Sequence, residues 1–286
     1  MKKFIAIVLA ALMLVSLAAC GGNDTASDSV SDSVSENATD TASESVSDEA
    51  EADLGLLDKT VLSVGAECSY PPFETMAEDG VTPIGFDVDL AKAIAEKLGV
   101  ECNFINTAWD GIFAGIGTNY DVAISGVTIT DERKAEMDFS TPYINNYQAV
   151  IAKKGSDIEV KEFADLDGHS ISVMKDTASD ILVTGLADAG TISATVKRNE
   201  QVPTCYTELK NGEVDLVVCD STVASAFLTN YPDDFEVVFT DESAPEQFAV
   251  AIKKGNDKLT EAINAALAEL EAEGFFEANM AKWFAE

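Results

Sequence analysis

Two α/β lobes of similar build are the architecture that residues 54–286 predict. Three observations lead there. Strand-like and helix-like segments alternate along this stretch, a pattern that gives layered α/β folds with mostly parallel strands. The string Ala149-Val150-Ile151-Ala152-Lys153-Lys154-Gly155-Ser156-Asp157 returns as Ala249-Val250-Ala251-Ile252-Lys253-Lys254-Gly255-Asn256-Asp257. A second pair, Asp121-Val122-Ala123-Ile124-Ser125-Gly126 and Asp215-Leu216-Val217-Val218-Cys219-Asp220, falls in both cases at the end of a buried strand. Chance is the alternative for strings this short, whereas two similar lobes explain both echoes at once.

The elements follow in chain order. A first strand is expected at 61–65. Phe86–Leu98 reads as a helix, because Phe86, Leu90, Ile94 and Leu98 share one face at i+4 steps. Asp87 and Asp89 suit its positive end, and Gly99 suits a left-handed stop. Next come a strand near 102–105, a short helix from Asp110, a strand at 122–125 and a helix from the N-cap Thr130. Further strands are expected near 171–174, 192–196 and 214–218, with helices starting near Thr177, Pro203 and Ser221. Two C-terminal helices end at Trp283-Phe284.

The first 53 residues are of another kind. Lys2 and Lys3 precede an apolar run over 4–19 that is short for a membrane span. It closes as Leu17-Ala18-Ala19-Cys20-Gly21, which resembles the bacterial lipobox, in which the cysteine is acylated and becomes the new N-terminus. An ordinary signal peptide cut after a small residue is the alternative. Residues 1–22 are thus expected to be an export signal with lipidation at Cys20. Residues 23–53 hold ten acids, no base and eleven Ser or Thr. Acids recur every four residues from Asp24 to Asp48, which would stack like charges along a helix. A disordered, self-repelling tether is expected there.

Composition excludes several function classes. The 286 residues carry 18 Lys+Arg and 51 Asp+Glu, a formal net charge of −33. Without the tether and signal, 41 acids face 16 bases, so the acidity is general. Such a surface does not suit nucleic acid or a face docking on anionic lipid. A hydrophobic content of 47% is enough for a real core. One histidine and five cysteines with no C-x-x-C pair point to no metal and no cofactor. Cys68, Cys102, Cys205 and Cys219 are expected to be free thiols serving packing.

Ligands in open α/β sheets favour the carboxyl ends of strands, which singles out Ser125-Gly126 and Cys219-Asp220. Only two arginines occur, Arg133 and Arg198. Arg133 stands on the first turn of a helix, where a cation is disfavoured unless it has an anionic partner. That partner is either a ligand carboxylate or a neighbour such as Asp131, Glu132 or Glu136. Asp220 could hold an ammonium or cap the helix from Ser221, and the cap is the stronger reading of the residues alone. Tyr70 and Trp109 could wall a small ligand or belong to the core.

These residues together resemble the family 3 solute-binding proteins of ABC transporters, the polar amino acid group. Gly85-Phe86-Asp87-Val88-Asp89-Leu90 looks like that family's signature. Tyr70-Pro71-Pro72-Phe73, Ser125-Gly126-Val127-Thr128-Ile129-Thr130 and Arg133 match further blocks in order. The resemblance spans essentially all of 54–286. It implies a periplasmic-binding-protein-like fold: two α/β lobes, a two-strand hinge and a ligand cleft between. Lobe 1 would be 54–147 plus 246–286, and lobe 2 would be 148–245.

Carried over by position, Arg133 should hold an α-carboxylate, helped by Thr128. The Gly126 carbonyl beside Ser125, and the Asp220 carboxylate, should hold the α-ammonium. Tyr70 and Trp109 should sandwich the side chain. Thr177 and Ala178 should offer amides to the carboxylate, although many relatives read Gly-Thr-Thr where this chain reads Asp176-Thr177-Ala178. Glu67 sits where binders of basic amino acids carry an acid, its alternative being an exposed strand-end acid. Met174, Cys219 and Gln148 are candidates for the same pocket. The expected ligand is a free amino acid, arginine or lysine first, then glutamine or cystine. The expected partners are an ABC permease and its cytoplasmic ATPase, with the membrane touched through the lipid anchor only. A monomer outside the cytoplasm, without catalytic residues, is expected. A dehydratase on the same fold, or a sensor or adhesin that keeps the clamp, are the competing readings.

Overall fold

The computed structural model describes residues 53–284. The export signal, Cys20 and nearly all of the tether lie outside the described residues. Asp53 itself is anchored, its carboxylate 3.0 Å from Lys258 Nζ.

Two five-stranded sheets form the frame, each carrying helices. The first has the order Glu101–Asn106, Val61–Ala66, Val122–Ala123, Ala251–Lys253, Met137–Phe139. The second has the order Thr195–Asn199, Ser170–Met174, Leu216–Asp220, Gln148–Lys153, Phe235–Thr240. In each sheet the first three strands are parallel and the fourth is reversed. Both echoes acquire a structural meaning. Asp121–Gly126 and Asp215–Asp220 include the third strand of the two sheets, and the Lys-Lys-Gly strings close the reversed fourth strands. Even the turns match: the Gly155 N–H donates to Glu236 Oε1 and the Gly255 N–H to Asp138 Oδ2, both at 2.7 Å, on the edge strand beside.

The two lobes are joined by a hinge in which Ile144–Asn146 pairs antiparallel with Glu246–Phe248. A three-stranded sheet, Ser69–Tyr70, Glu74–Met76 and Pro83–Ile84, projects after the first strand. Alternation of strands and helices gave no sign of it, because strands of two or three residues have no readable period.

Helix Phe86–Leu98 forms as its pattern predicts, with Gly99 left-handed at φ 71. Phe86, Leu90 and Ile94 are buried in one cluster with Leu62, Val64, Ile252 and Ile263. Burial of each such side chain stabilises by about 1.5–3 kcal/mol. Gly85 before it is needed as glycine: at φ 141, a Cβ there would lie 2.0 Å from the Phe73 carbonyl oxygen. On the second sheet, Ile171, Val173, Leu216 and Val218 form a separate core with Val183 of helix Ala178–Asp188.

Three strand placements differ from expectation. The strand expected at 192–196 runs over Thr195–Asn199, because pairing of Ser170 with Thr195 sets its register and Ile192 is buried from the loop. The strand expected at 214–218 runs over Leu216–Asp220, carrying Asp220 into the cleft. The strand expected to 125 stops at Ala123, since Gly126 turns the chain at φ 54. The short helix expected from Asp110 is a 3-10 turn, Trp109–Gly111.

Candidate ligand-binding cleft

Eleven of the thirteen residues named above as ligand contacts or pocket candidates line one pocket. Strand ends, turns and helix starts bring them together. Ser125-Gly126 follows the third strand of the first sheet, and Asp220 ends the third strand of the second. Tyr70 comes from the small sheet and Trp109 from the 3-10 turn. Met174 ends a strand, and Thr177-Ala178 opens helix Ala178–Asp188. Cys219 and Gln148 are absent from the lining. Cys219 faces away from its strand neighbour Asp220 and meets the Tyr206 hydroxyl at 3.3 Å, while Gln148 supports Asp220 from behind.

Gly126 allows close packing as well as the turn. A Cβ there would sit 3.1 Å from the Tyr70 ring. The turn leaves its carbonyl available, while its N–H donates to Asp87 Oδ2 at 2.7 Å.

Arg133 is 8% exposed, and no carboxylate lies within ion-pair distance of it among the described residues. The surface ion pair with Asp131, Glu132 or Glu136 is therefore not formed. Instead Nη1 donates to the Thr128 carbonyl at 2.8 Å, and Nη2 to the Asp176 carbonyl at 3.4 Å. Its guanidinium lies 4.9 Å from the Phe113 ring and 5.4 Å from the Trp109 ring. These rings hold the plane without neutralising it. Burial lowers its proton affinity, and the Asp220 and Glu246 charges oppose that. Thr130 caps the helix, its hydroxyl accepting from the Arg133 N–H at 3.1 Å.

Opposite Arg133, the Thr177 hydroxyl caps helix Ala178–Asp188 by accepting from the Asp180 N–H. The first N–H groups of a helix have no partner within it and favour anions. Asp176, just before, takes a left-handed φ of 59. Its side chain is held by Arg198 Nη2 at 3.0 Å, and its carbonyl also accepts from Trp109 Nε1 at 3.1 Å.

Asp220 stands at the N-cap of helix Ser221–Asn230 yet makes no side-chain cap bond. The capping role favoured by the residues alone is thus not taken. Oδ2 accepts from the Tyr70 hydroxyl, and Oδ1 accepts from Asn146 Nδ2 at 2.6 Å and Gln148 Nε2 at 2.9 Å. Burial pushes its carboxyl up to about 6, with the neighbouring Glu246 charge adding to the rise. Glu246 shares the same donors, through Oε2.

Glu67 is 5% exposed, so it is not the exposed strand-end acid of the alternative reading. Its Oε1 accepts from Ser69 Oγ and from Gln201 Nε2 at 3.4 Å, whereas Oε2 has no partner among the described residues. Burial raises its proton affinity. Phe113, Asn146, Gln201 and Glu246 were not foreseen. Each acts on the site from 20 or more residues away or from behind a lining residue, and no local motif marks them.

The cleft thus carries one unneutralised guanidinium, a carboxylate on the facing sheet and two aromatic rings. The sequence model of the bacterial extracellular solute-binding proteins, family 3, matches residues 62–286. The chain belongs to that family. Among its family relatives, the L-cystine-binding protein TcyJ of Escherichia coli K12 is 36% identical over 82% of this chain and 87% of the relative. The ABC transporter arginine-binding protein 1 of the same strain is 33% identical, over 78% of this chain and 90% of the relative. Among solved structures, an ancestral arginine-binding protein bound to arginine superposes with a TM-score of 0.73 at 39% identity. That match covers 79% of this chain and 98% of the ancestral one. Such family members are amino acid-binding proteins of ABC transporters.

Proposed function

We propose that this family member is the exported, lipid-anchored binding component of an amino acid importer, and that it closes its lobes on a free amino acid. Cys20 would carry the lipid, 23–53 would be the tether, and the chain would cross between lobes at 147/148 and 245/246. The carrying observation is Arg133, buried at the cavity with no carboxylate counter-ion among the described residues. A ligand carboxylate would supply that charge bidentately, joined by the N–H groups at the start of helix Ala178–Asp188. Asp220 and the Gly126 carbonyl would take the ammonium. Tyr70 and Trp109 would cover the stem.

Glu67 Oε2, without a donor among the described residues, favours a ligand with a second cationic donor group, arginine or lysine. Cystine carries a second ammonium that the same oxygen would receive, and glutamine follows. Delivery to a permease and its ATPase completes the reading.

Thermal shift tests it directly. The protein, stripped of ligand by unfolding and refolding, is melted with each common amino acid and cystine. A ligand at a hundredfold excess over its Kd adds about 2.7 kcal/mol to the folded state. A selective rise with arginine or lysine supports the reading and the role of Glu67. A rise with glutamine or cystine keeps the receptor and shifts the specificity. No rise with any of them, from folded protein, sinks it. A second reading, a cleft enzyme such as a dehydratase, draws on Glu67 alone, since a buried carboxyl of raised proton affinity suits a general acid. Turnover of an aromatic precursor would favour it.

A further inference from the structure

Two fully enclosed carboxyls lie behind the Ser125-Gly126 turn. Glu74, on Glu74–Met76, is 0% exposed, and Asp87, on the first turn of helix Phe86–Leu98, is 1% exposed. Neither lines the cavity. Glu74 Oε1 accepts from Ser125 Oγ. Asp87 Oδ2 accepts from the Gly126 N–H at 2.7 Å and from the Tyr143 hydroxyl at 2.9 Å. Their other oxygens, Glu74 Oε2 and Asp87 Oδ1, find no donor among the described residues.

Two enclosed carboxyls that bond adjacent residues of one turn, each with an oxygen lacking a donor, would bury two charges side by side if both were ionised. Burial and the Asp87 charge accordingly raise the proton affinity of Glu74. A proton on one of the pair removes one buried charge and gives an orphan oxygen a hydrogen to donate. The titratable groups facing the pair are Glu67 and Cys68 after the first strand, Tyr70 from the small sheet and Tyr143 before the hinge. None of them is a cation. Asp87 has two donors and the positive end of its helix, so the charge rests there and the proton on Glu74.

We propose that Glu74 and Asp87 are positioning residues that hold one proton between them and thereby fix the Ser125-Gly126 turn in its ligand-binding shape. The turn then presents the Gly126 carbonyl to the ligand's ammonium. Ser125 Oγ also accepts from the Glu67 N–H at 3.1 Å, so the same pair steadies the segment that carries Glu67. This inference rests on the amino acid-binding reading.

Infrared spectroscopy of the full chain at about pH 8, where ordinary carboxyls are ionised, reads the proton itself. A carboxylic acid C=O band is expected in the wild type and should vanish in Glu74→Gln. Binding is read in parallel with arginine, glutamine and cystine. Gln keeps a donor toward Asp87 and an acceptor toward Ser125, so Glu74→Gln should stay within about threefold of wild type, while Glu74→Leu should lose about tenfold or more. No acid band, a band untouched by Glu74→Gln, or full affinity in Glu74→Leu would each overturn the proposal. If Glu74→Leu does not fold, the infrared comparison of wild type with Glu74→Gln decides alone. If no amino acid binds the wild type, the binding reading fails while the band still reports on the pair.

Discussion

Tyr70 and Asp220 meet across the cleft, the phenol hydroxyl donating to carboxylate Oδ2. They come from opposite sides, Tyr70 from the small sheet and Asp220 from the second five-stranded sheet. Because Asn146 and Gln148 occupy Oδ1, an incoming ammonium competes with Tyr70 for Oδ2. Asp220→Asn should therefore weaken binding of an amino acid by about tenfold more than that of its desamino analogue, measured by calorimetry. Equal losses for the two would mean that Asp220 supports the fold rather than the ligand.

Asp220 also sets a pH dependence. Burial pushes it up to about 6, and an ammonium ligand requires it ionised. Below that pH the free protein holds a proton that the complex must release, so affinity rises with pH and then levels off. Binding should be roughly tenfold weaker near pH 5 than near pH 7. The stability of the unliganded fold carries the opposite sign. The folded state keeps this proton to higher pH than the unfolded chain, so Asp220 lowers stability as pH rises from the ordinary 3.8 toward about 6. Titrations of wild type and Asp220→Asn would check both, and a level affinity profile in the wild type contradicts the assignment.

Arg133 is held by the Thr128 carbonyl and by the Phe113 and Trp109 rings, not by an acid. Arg133→Ala should cost at least about tenfold in amino acid affinity while circular dichroism stays unchanged. Arg133→Lys should not restore binding, because a single ammonium cannot fork onto both carboxylate oxygens. An affinity change below tenfold in the alanine variant would remove Arg133 from the site.

Both arginines of the chain converge on Asp176, Arg133 at its carbonyl and Arg198 at its carboxylate. Its φ of 59 is left-handed, which disfavours any side chain bearing a Cβ. Asp176→Ala and Asp176→Gly both lose the Arg198 contact, but only alanine keeps the strain. In urea unfolding the alanine variant should be about 1 kcal/mol less stable than the glycine variant. The reverse order would show that the backbone there relaxes freely.

Much of the site was legible because it is built from local grammar. Thr130 reads as an N-cap and is one, and the helix expected to start near Thr177 is capped by Thr177. Gly126 and Asp220 follow or end strands whose apolar runs are plain in the sequence. The family blocks supplied the remaining pocket-lining residues. What could not be read depends on partners far apart in the chain. Asn146 and Gln148 reach Glu246 across 100 and 98 residues, and both meet Asp220 across more than 70. The hinge strands and the small sheet are too short to show alternation. Asp220 was misjudged for a related reason: a helix-start aspartate looks the same whether it turns to its own amides or to a tyrosine 150 residues away.

The strand Ala251–Lys253 is inserted between Val122–Ala123 and Met137–Phe139, although more than a hundred residues separate it from either. The second sheet is drawn from one uninterrupted stretch, 148–240. During synthesis the second sheet can therefore finish while the first still lacks an interior member, and the sheet that positions Arg133 has to wait for nearly the whole chain. Loop closure over that span is slow relative to local pairing. Pulsed hydrogen exchange during refolding should protect Ser170–Met174 before Met137–Phe139. If the polypeptide crosses a membrane unfolded, as proposed, this late arrival is a built-in delay: the first sheet cannot set until a strand from far down the chain is in hand.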